Sequence, residues 1–119
     1  LSHRDLIAWN ALLSVLVEQG HSENALAIYR LMQMEGIAPN ELTFIFTLQA
    51  CCLLMKEAKA RVRHEQKKSI CLGIGKALHV DVKRKGYASD LGVGAGLISM
   101  YSLSGVVDEA EVVFVALSS

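Results

Sequence analysis

Three cysteines, one His-x-Glu triplet and a glycine run are the residues whose types could do chemistry in this chain. Cys51, Cys52 and Cys71 are odd in number and lack the Cys-x-x-Cys spacing of a zinc or redox site. They read as small buried apolar residues in a reduced, intracellular setting. His21-Ser22-Glu23 matches the His-x-Glu half of a zinc deaminase signature, in which histidine holds the metal and glutamate moves the proton. The cysteine half is missing, and His21 falls between two helical patterns, so the match is chance. Gly92-Val93-Gly94-Ala95-Gly96 follows no strand and has neither dinucleotide-loop nor phosphate-loop spacing. These glycines instead weaken the start of a helix. With no Ser/His/Asp set and no paired carboxylates, the chain is read as a non-enzyme without cofactor or metal.

A fourth feature is electrostatic. Lys56 to Lys68 holds six Lys or Arg against two Glu. Glu57–Arg61 is a favourable i, i+4 pair, whereas Lys59–Arg63 and Arg63–Lys67 repel. The run has strong helix formers and little apolar stripe. It is expected to extend the preceding helix into solvent, or to form a charged loop before a helix starting at about Ile74. The plain reading is a solvated insertion, and the functional one is a basic arm touching phosphates through Lys59, Arg63 and Lys67.

The elements that must position such groups are helices. Trp9, Leu12, Leu13 and Leu16 fall at the i, i+3, i+4, i+7 spacing of a helical stripe. Gly20 can adopt the left-handed conformation that ends a helix, and Ser22 is a candidate N-cap for the next. Ala25, Ile28, Tyr29 and Met32 stripe this second helix, Gly36 ends it, and Pro39-Asn40 turns into a third that Asn40 can cap. Helices joined by so short a turn lie antiparallel. Leu6–Asn40 is thus one helical hairpin.

The same text recurs. Asn40-Glu41-Leu42-Thr43-Phe44 and Asp90-Leu91-Gly92-Val93-Gly94 open helices as Asp5-Leu6-Ile7-Ala8-Trp9 does. Met34-Glu35-Gly36-Ile37-Ala38-Pro39-Asn40 aligns with Arg84-Lys85-Gly86-Tyr87-Ala88-Ser89-Asp90. A period in the mid-thirties predicts stacked α-hairpins, an all-α right-handed α-α superhelix (solenoid) of antiparallel hairpins. Residues 1–5 read as the tail of a preceding repeat, with Asp5 as cap, and residues 6–40 as a complete repeat. Residues 41–90 form a long repeat with a basic insertion at 55–69, and residues 91–119 a truncated one. A chain starting at Leu1 with these part-repeats is expected to be a fragment.

Three stretches, Asp5 to Leu13, Gly20 to Leu26 and Met32 to Phe44, resemble pentatricopeptide repeat proteins, in particular the plant type that alternates repeats of three lengths. Gly75-Lys76-Ala77-Leu78-His79 and Leu97-Ile98-Ser99-Met100-Tyr101 are similar to its long and short repeats. Proteins of this family read RNA one base per repeat. The resemblance implies that the fifth and last residues of a repeat read a base, here Asn10 and Asn40. It also implies that the second residues of adjacent repeats, Ile7 and Leu42, sandwich that base. A neutral amide offers donor and acceptor to a base edge, and aliphatic side chains give it an apolar bed. The family code for two asparagines implies a pyrimidine, cytidine over uridine. Ile45 and Ala95 hold the fifth positions of the next two repeats and are assigned no base. The lysine that many family repeats carry near the end of the first helix is replaced by Glu18 and Leu103, so phosphate affinity is expected to be weak.

Composition sets the bounds. The chain has 119 residues, 52% of them hydrophobic, and a formal net charge of zero. That is one domain's worth with ample core, but not the basic excess of a stand-alone nucleic-acid binder. The most apolar run, Leu42 to Met55, is too short to span a membrane. By resemblance the chain is part of a longer array that binds single-stranded RNA in a mitochondrion or chloroplast, for RNA processing or C-to-U editing. Editing cofactors or a deaminase, in trans or downstream, would be its partners. The alternative of another class is a tetratricopeptide-like protein–protein scaffold, which should show a charged or aromatic concave lining.

Overall fold

The computed structural model describes residues 3–58 and 64–118. Among them six helices follow one another: α1 (His3–Glu18), α2 (Ser22–Met34), α3 (Glu41–Ala58), α4 (His64–Lys85), α5 (Leu91–Leu103) and α6 (Val107–Ser118). No strand occurs among the described residues. The helices pair as three antiparallel hairpins, α1–α2, α3–α4 and α5–α6, stacked in chain order.

Glycine sets the period. Gly20, Gly36, Gly86 and Gly105 have φ between 73° and 86°, a region that costs any residue with a Cβ. Each follows a helix end, where the next amide reaches back to an orphan carbonyl: His21 to Leu16 at 2.8 Å, Ile37 to Met32 at 3.0 Å, Tyr87 to Val82 at 3.0 Å and Val106 to Tyr101 at 2.9 Å. These closures turn the chain inside and between hairpins.

Two layers result. α1, α3 and α5 pack side by side, while among the described residues α2, α4 and α6 make no backbone approach to one another. α1, α3 and α5 thus form one continuous wall of the stack. Phe44, Leu48, Cys51 and Met55 of α3 are buried in one core cluster with Val93, Leu97 and Met100 of α5. Tyr29 of the first hairpin meets Phe44 of the second with tilted rings 6.1 Å apart, and Phe44 lies 5.8 Å from Tyr87, which follows α4 of its own hairpin. The two repeat motifs read separately in the sequence also meet, because His79 Nδ1 lies 2.7 Å from the Tyr101 hydroxyl. Burial lowers the His79 pKa, helped by Lys83 and opposed by Glu109.

Several expectations need correction. α1 already spans His3, so Asp5 sits in its first turn and is not the cap; its charge there suits the helix dipole. Ser22 is the first residue of α2, and His21 takes the cap position without a side-chain bond. Leu12 is 42% exposed, and the buried stripe of α1 runs through Leu6, Asn10 and Leu13. α4 begins at His64, ten residues before Ile74, so part of the extra length belongs to that helix. Met55, assigned to the insertion, is fully buried. The glycines of α5 also do more than weaken it. A Cβ on Gly92 would come within 2.7 Å of Ile45, and one on Gly94 would strike Leu117, so their absence lets α5 approach both neighbours.

Candidate nucleic-acid interface

Asn10 lies in the middle of α1 and Asn40 immediately before α3, thirty residues apart in sequence. Asn40 caps α3 with its side chain: Oδ1 accepts from the Thr43 backbone amide at 3.2 Å, and the Asn40 amide donates to Thr43 Oγ1 at 3.1 Å. That reciprocal cap fixes both residues. Because α1 lies against α3, the cap also meets Asn10. Its Nδ2 donates to Asn40 Oδ1 at 2.9 Å, and its Oδ1 accepts from the Thr43 hydroxyl at 2.7 Å. Thr43 is fully buried, and Thr47 Oγ1 in turn donates to the Thr43 carbonyl at 2.6 Å.

The two asparagines open on a shallow depression of about 270 Å³, shared with Leu6, Ile7, Leu42 and Phe46. Ile7 is 63% and Leu42 46% exposed, so aliphatic surface borders the depression with the amides. Asn10 itself is only 6% exposed, which differs from a polar residue on an open helix face. Its carbonyl oxygen is already bonded, so it does not present both donor and acceptor outward. The Nδ2 of Asn40 has no partner among the described residues.

A second, larger depression of about 730 Å³ lies between α3 and α5. Ile45 and Ala95, the next fifth positions, line it with Gln49, Leu53, Gly92 and Lys56. It is apolar at the places where the first depression carries amides. Glu18 is exposed and Leu103 partly buried at the ends of α1 and α5. Of the basic-arm candidates, Lys59 and Arg63 lie outside the described residues, as does the side chain of Lys67.

Sequence reasoning missed two residues. Thr43 was legible only as the fourth member of an Asn-x-x-Thr start, and its tie to Asn10 needed the packing of α1 on α3. Lys56, counted with the insertion, belongs to the last turn of α3 and lines the depression between α3 and α5 with Leu53. The thiols behave as read: all three are buried, and burial pushes Cys51 up to about 12, with Cys71 and Cys52 adding to it. Such a thiol is no nucleophile. Among the described residues no three His, Cys, Asp or Glu side chains are grouped to hold a metal, and no helix is long and apolar enough to cross a membrane.

Comparison with known proteins gives the arrangement its relatives. Residues 4–53 match the PPR repeat family. The chloroplastic pentatricopeptide repeat-containing protein CRR2 of Arabidopsis thaliana is 32% identical over 111 residues, 93% of this chain and 15% of that protein. Another chloroplastic pentatricopeptide repeat-containing protein of that plant is 33% identical over 114 residues, 96% of this chain and 16% of its own length. A putative mitochondrial one is 28% identical over 114 residues, again 96% and 16%. The chain thus spans about a sixth of each.

Proposed function

Since the chain belongs to the pentatricopeptide repeat family, we propose that it is a segment of an array that binds single-stranded RNA, with Asn10 and Asn40 reading one base held between Ile7 and Leu42. The observation that carries this is the 2.9 Å contact between the two amides beside exposed aliphatic side chains where α1 packs on α3. The base is a pyrimidine, cytidine in preference to uridine. The hairpins are of the plant type with alternating repeat lengths, and the whole protein acts on RNA in a chloroplast or mitochondrion. Its task there is RNA processing or the choice of sites for C-to-U editing, with catalysis supplied by another domain or partner.

Magnitudes assign the function to the array and not to these hairpins alone. A neutral hydrogen bond contributes roughly 0.5–1.5 kcal/mol, whereas even millimolar binding needs about 4 kcal/mol. The depression beside the amides is lined mainly by aliphatic residues, with a single aromatic, Phe46, and no charged side chain, which fits a base better than a charged peptide.

The test uses the full-length protein and a single-stranded RNA selected by it from a random pool. Four versions of that RNA, differing at the one nucleotide facing Asn10 and Asn40, are compared. Asn10→Thr with Asn40→Asp is expected to move the preference there to guanine. An unchanged ranking of the four bases rejects the assignment.

A further inference from the structure

We propose that Thr43 is a specificity-determining residue of this site: its hydroxyl holds the amide oxygen of Asn10 inward, so that the site offers only N–H donors and selects cytosine over uracil. The inference rests on the reading that Asn10 and Asn40 face a base, and it supplies the physical reason for the preference between pyrimidines.

Amide orientation follows from the bonds themselves. The Thr43 backbone amide can only donate, so the Asn40 atom 3.2 Å from it is the oxygen. The Asn10 atom 2.9 Å from that oxygen must then be the nitrogen, which leaves Asn10 Oδ1 as the atom 2.7 Å from the Thr43 hydroxyl. Thr43 Oγ1 also lies 3.0 Å from Asn40 Oδ1, but its single proton goes to the shorter contact. The hydroxyl still accepts from the Asn40 backbone amide at 3.1 Å. Both carbonyl oxygens are therefore engaged inside the protein. The groups without an internal partner are the two protons of Asn40 Nδ2 and the second proton of Asn10 Nδ2.

A donor-only site discriminates among base edges. Cytosine places two acceptors, N3 and O2, side by side on its pairing edge. Uracil interposes N3–H between its two carbonyls, and that proton would face another donor. Adenine and guanine present no adjacent pair of acceptors on that edge. Without the Thr43 hydroxyl, Asn10 Oδ1 has no internal donor, and it can turn to accept N3–H of uracil. Buried acceptors without a partner are costly, which drives that turn.

Thr43→Val and Thr43→Ser are made in the full-length protein, with Thr43→Ala as a smaller hydroxyl-free variant, and assayed on the same four RNAs. Thr43→Val is expected to cut the cytosine-to-uracil affinity ratio at this nucleotide about five-fold, the worth of one hydrogen bond. Thr43→Ser, which keeps the hydroxyl, retains the ratio. Preferences at other nucleotides report whether the array is intact. If Thr43→Val disturbs those, the comparison passes to Thr43→Ser against Thr43→Ala, which differ only in the hydroxyl. An unchanged ratio in the hydroxyl-free variants overturns the role of Thr43. Asn10→Ala separates the two readings: if base preference at this position survives it, base reading itself fails, and if preference is lost, only Thr43 was at issue.

Discussion

Ser22 shows how one buried polar atom decides between two accounts of a residue. As an N-cap its hydroxyl would satisfy an orphan amide, and Ser→Ala would cost about 1 kcal/mol. In the structure the residue is 2% exposed, lies inside α2, and its Oγ has no hydrogen-bond partner among the described residues. A buried hydroxyl without a partner destabilises the fold. Ser22→Ala is therefore expected to leave stability unchanged or raise it by up to about 1 kcal/mol, measured by urea unfolding. A loss of stability would restore the capping role. Asn40 gives the contrary case, since its side chain caps α3 and also meets Asn10. Replacing it disturbs helix and site together, so the exchange proposed for base preference uses aspartate, which still accepts the Thr43 amide.

At the scale of elements, glycines of two kinds predict opposite outcomes. Gly36 has φ 73° and nothing within 4 Å of where a Cβ would stand, so Gly36→Ala meets backbone strain alone. That strain is worth about 1–2 kcal/mol. Gly73, inside α4, also has open space around it but no positive φ. Gly73→Ala is expected to stabilise by about 0.5–1 kcal/mol through helix propensity. Paired urea melts check both signs, and equal signs would contradict the helix-end geometry at Gly36. α3 and α4 also differ from their counterparts, with 18 and 22 residues against 16 and 13 in α1 and α2. The extra length was legible from the repeat spacing. Its division between two helices was not, because Lys56 to Lys68 is made of helix formers without a glycine, proline or capping residue to mark a boundary.

Across the whole molecule, stability depends on how each hairpin couples to the next. The outer helices stay apart, and α2 meets α4 through side chains: the Tyr29 hydroxyl donates to Asp81 Oδ2 at 2.8 Å, and Gln33 Nε2 donates to the same oxygen at 3.1 Å. Burial, then the bond and the charge of Asp81, raise the Tyr29 pKa, so the phenol stays protonated throughout the physiological range. Tyr29→Phe keeps the ring against Phe44 and removes only the bridge. It is expected to cost about 1 kcal/mol and to speed amide exchange in α1 and α2 more than in α5. A uniform change along the chain would mean that the bridge does not couple the hairpins.

The chain's text by itself determined the helical class, the hairpin period and the glycine closures at Gly20 and Gly36, because helical stripes and left-handed turns depend on neighbours within about seven residues. It also singled out Asn10, Asn40, Ile7 and Leu42, but only through resemblance. Tertiary structure decided that Asn10 is buried, that Thr43 joins the two amides, and that Gly92 and Gly94 allow α5 to nestle against Ile45 and Leu117. These depend on which faces of α1, α3, α5 and α6 meet. No local pattern encodes that, since a side chain's hydrogen-bond partner thirty residues away is set by the packing of helices and not by the sequence around it.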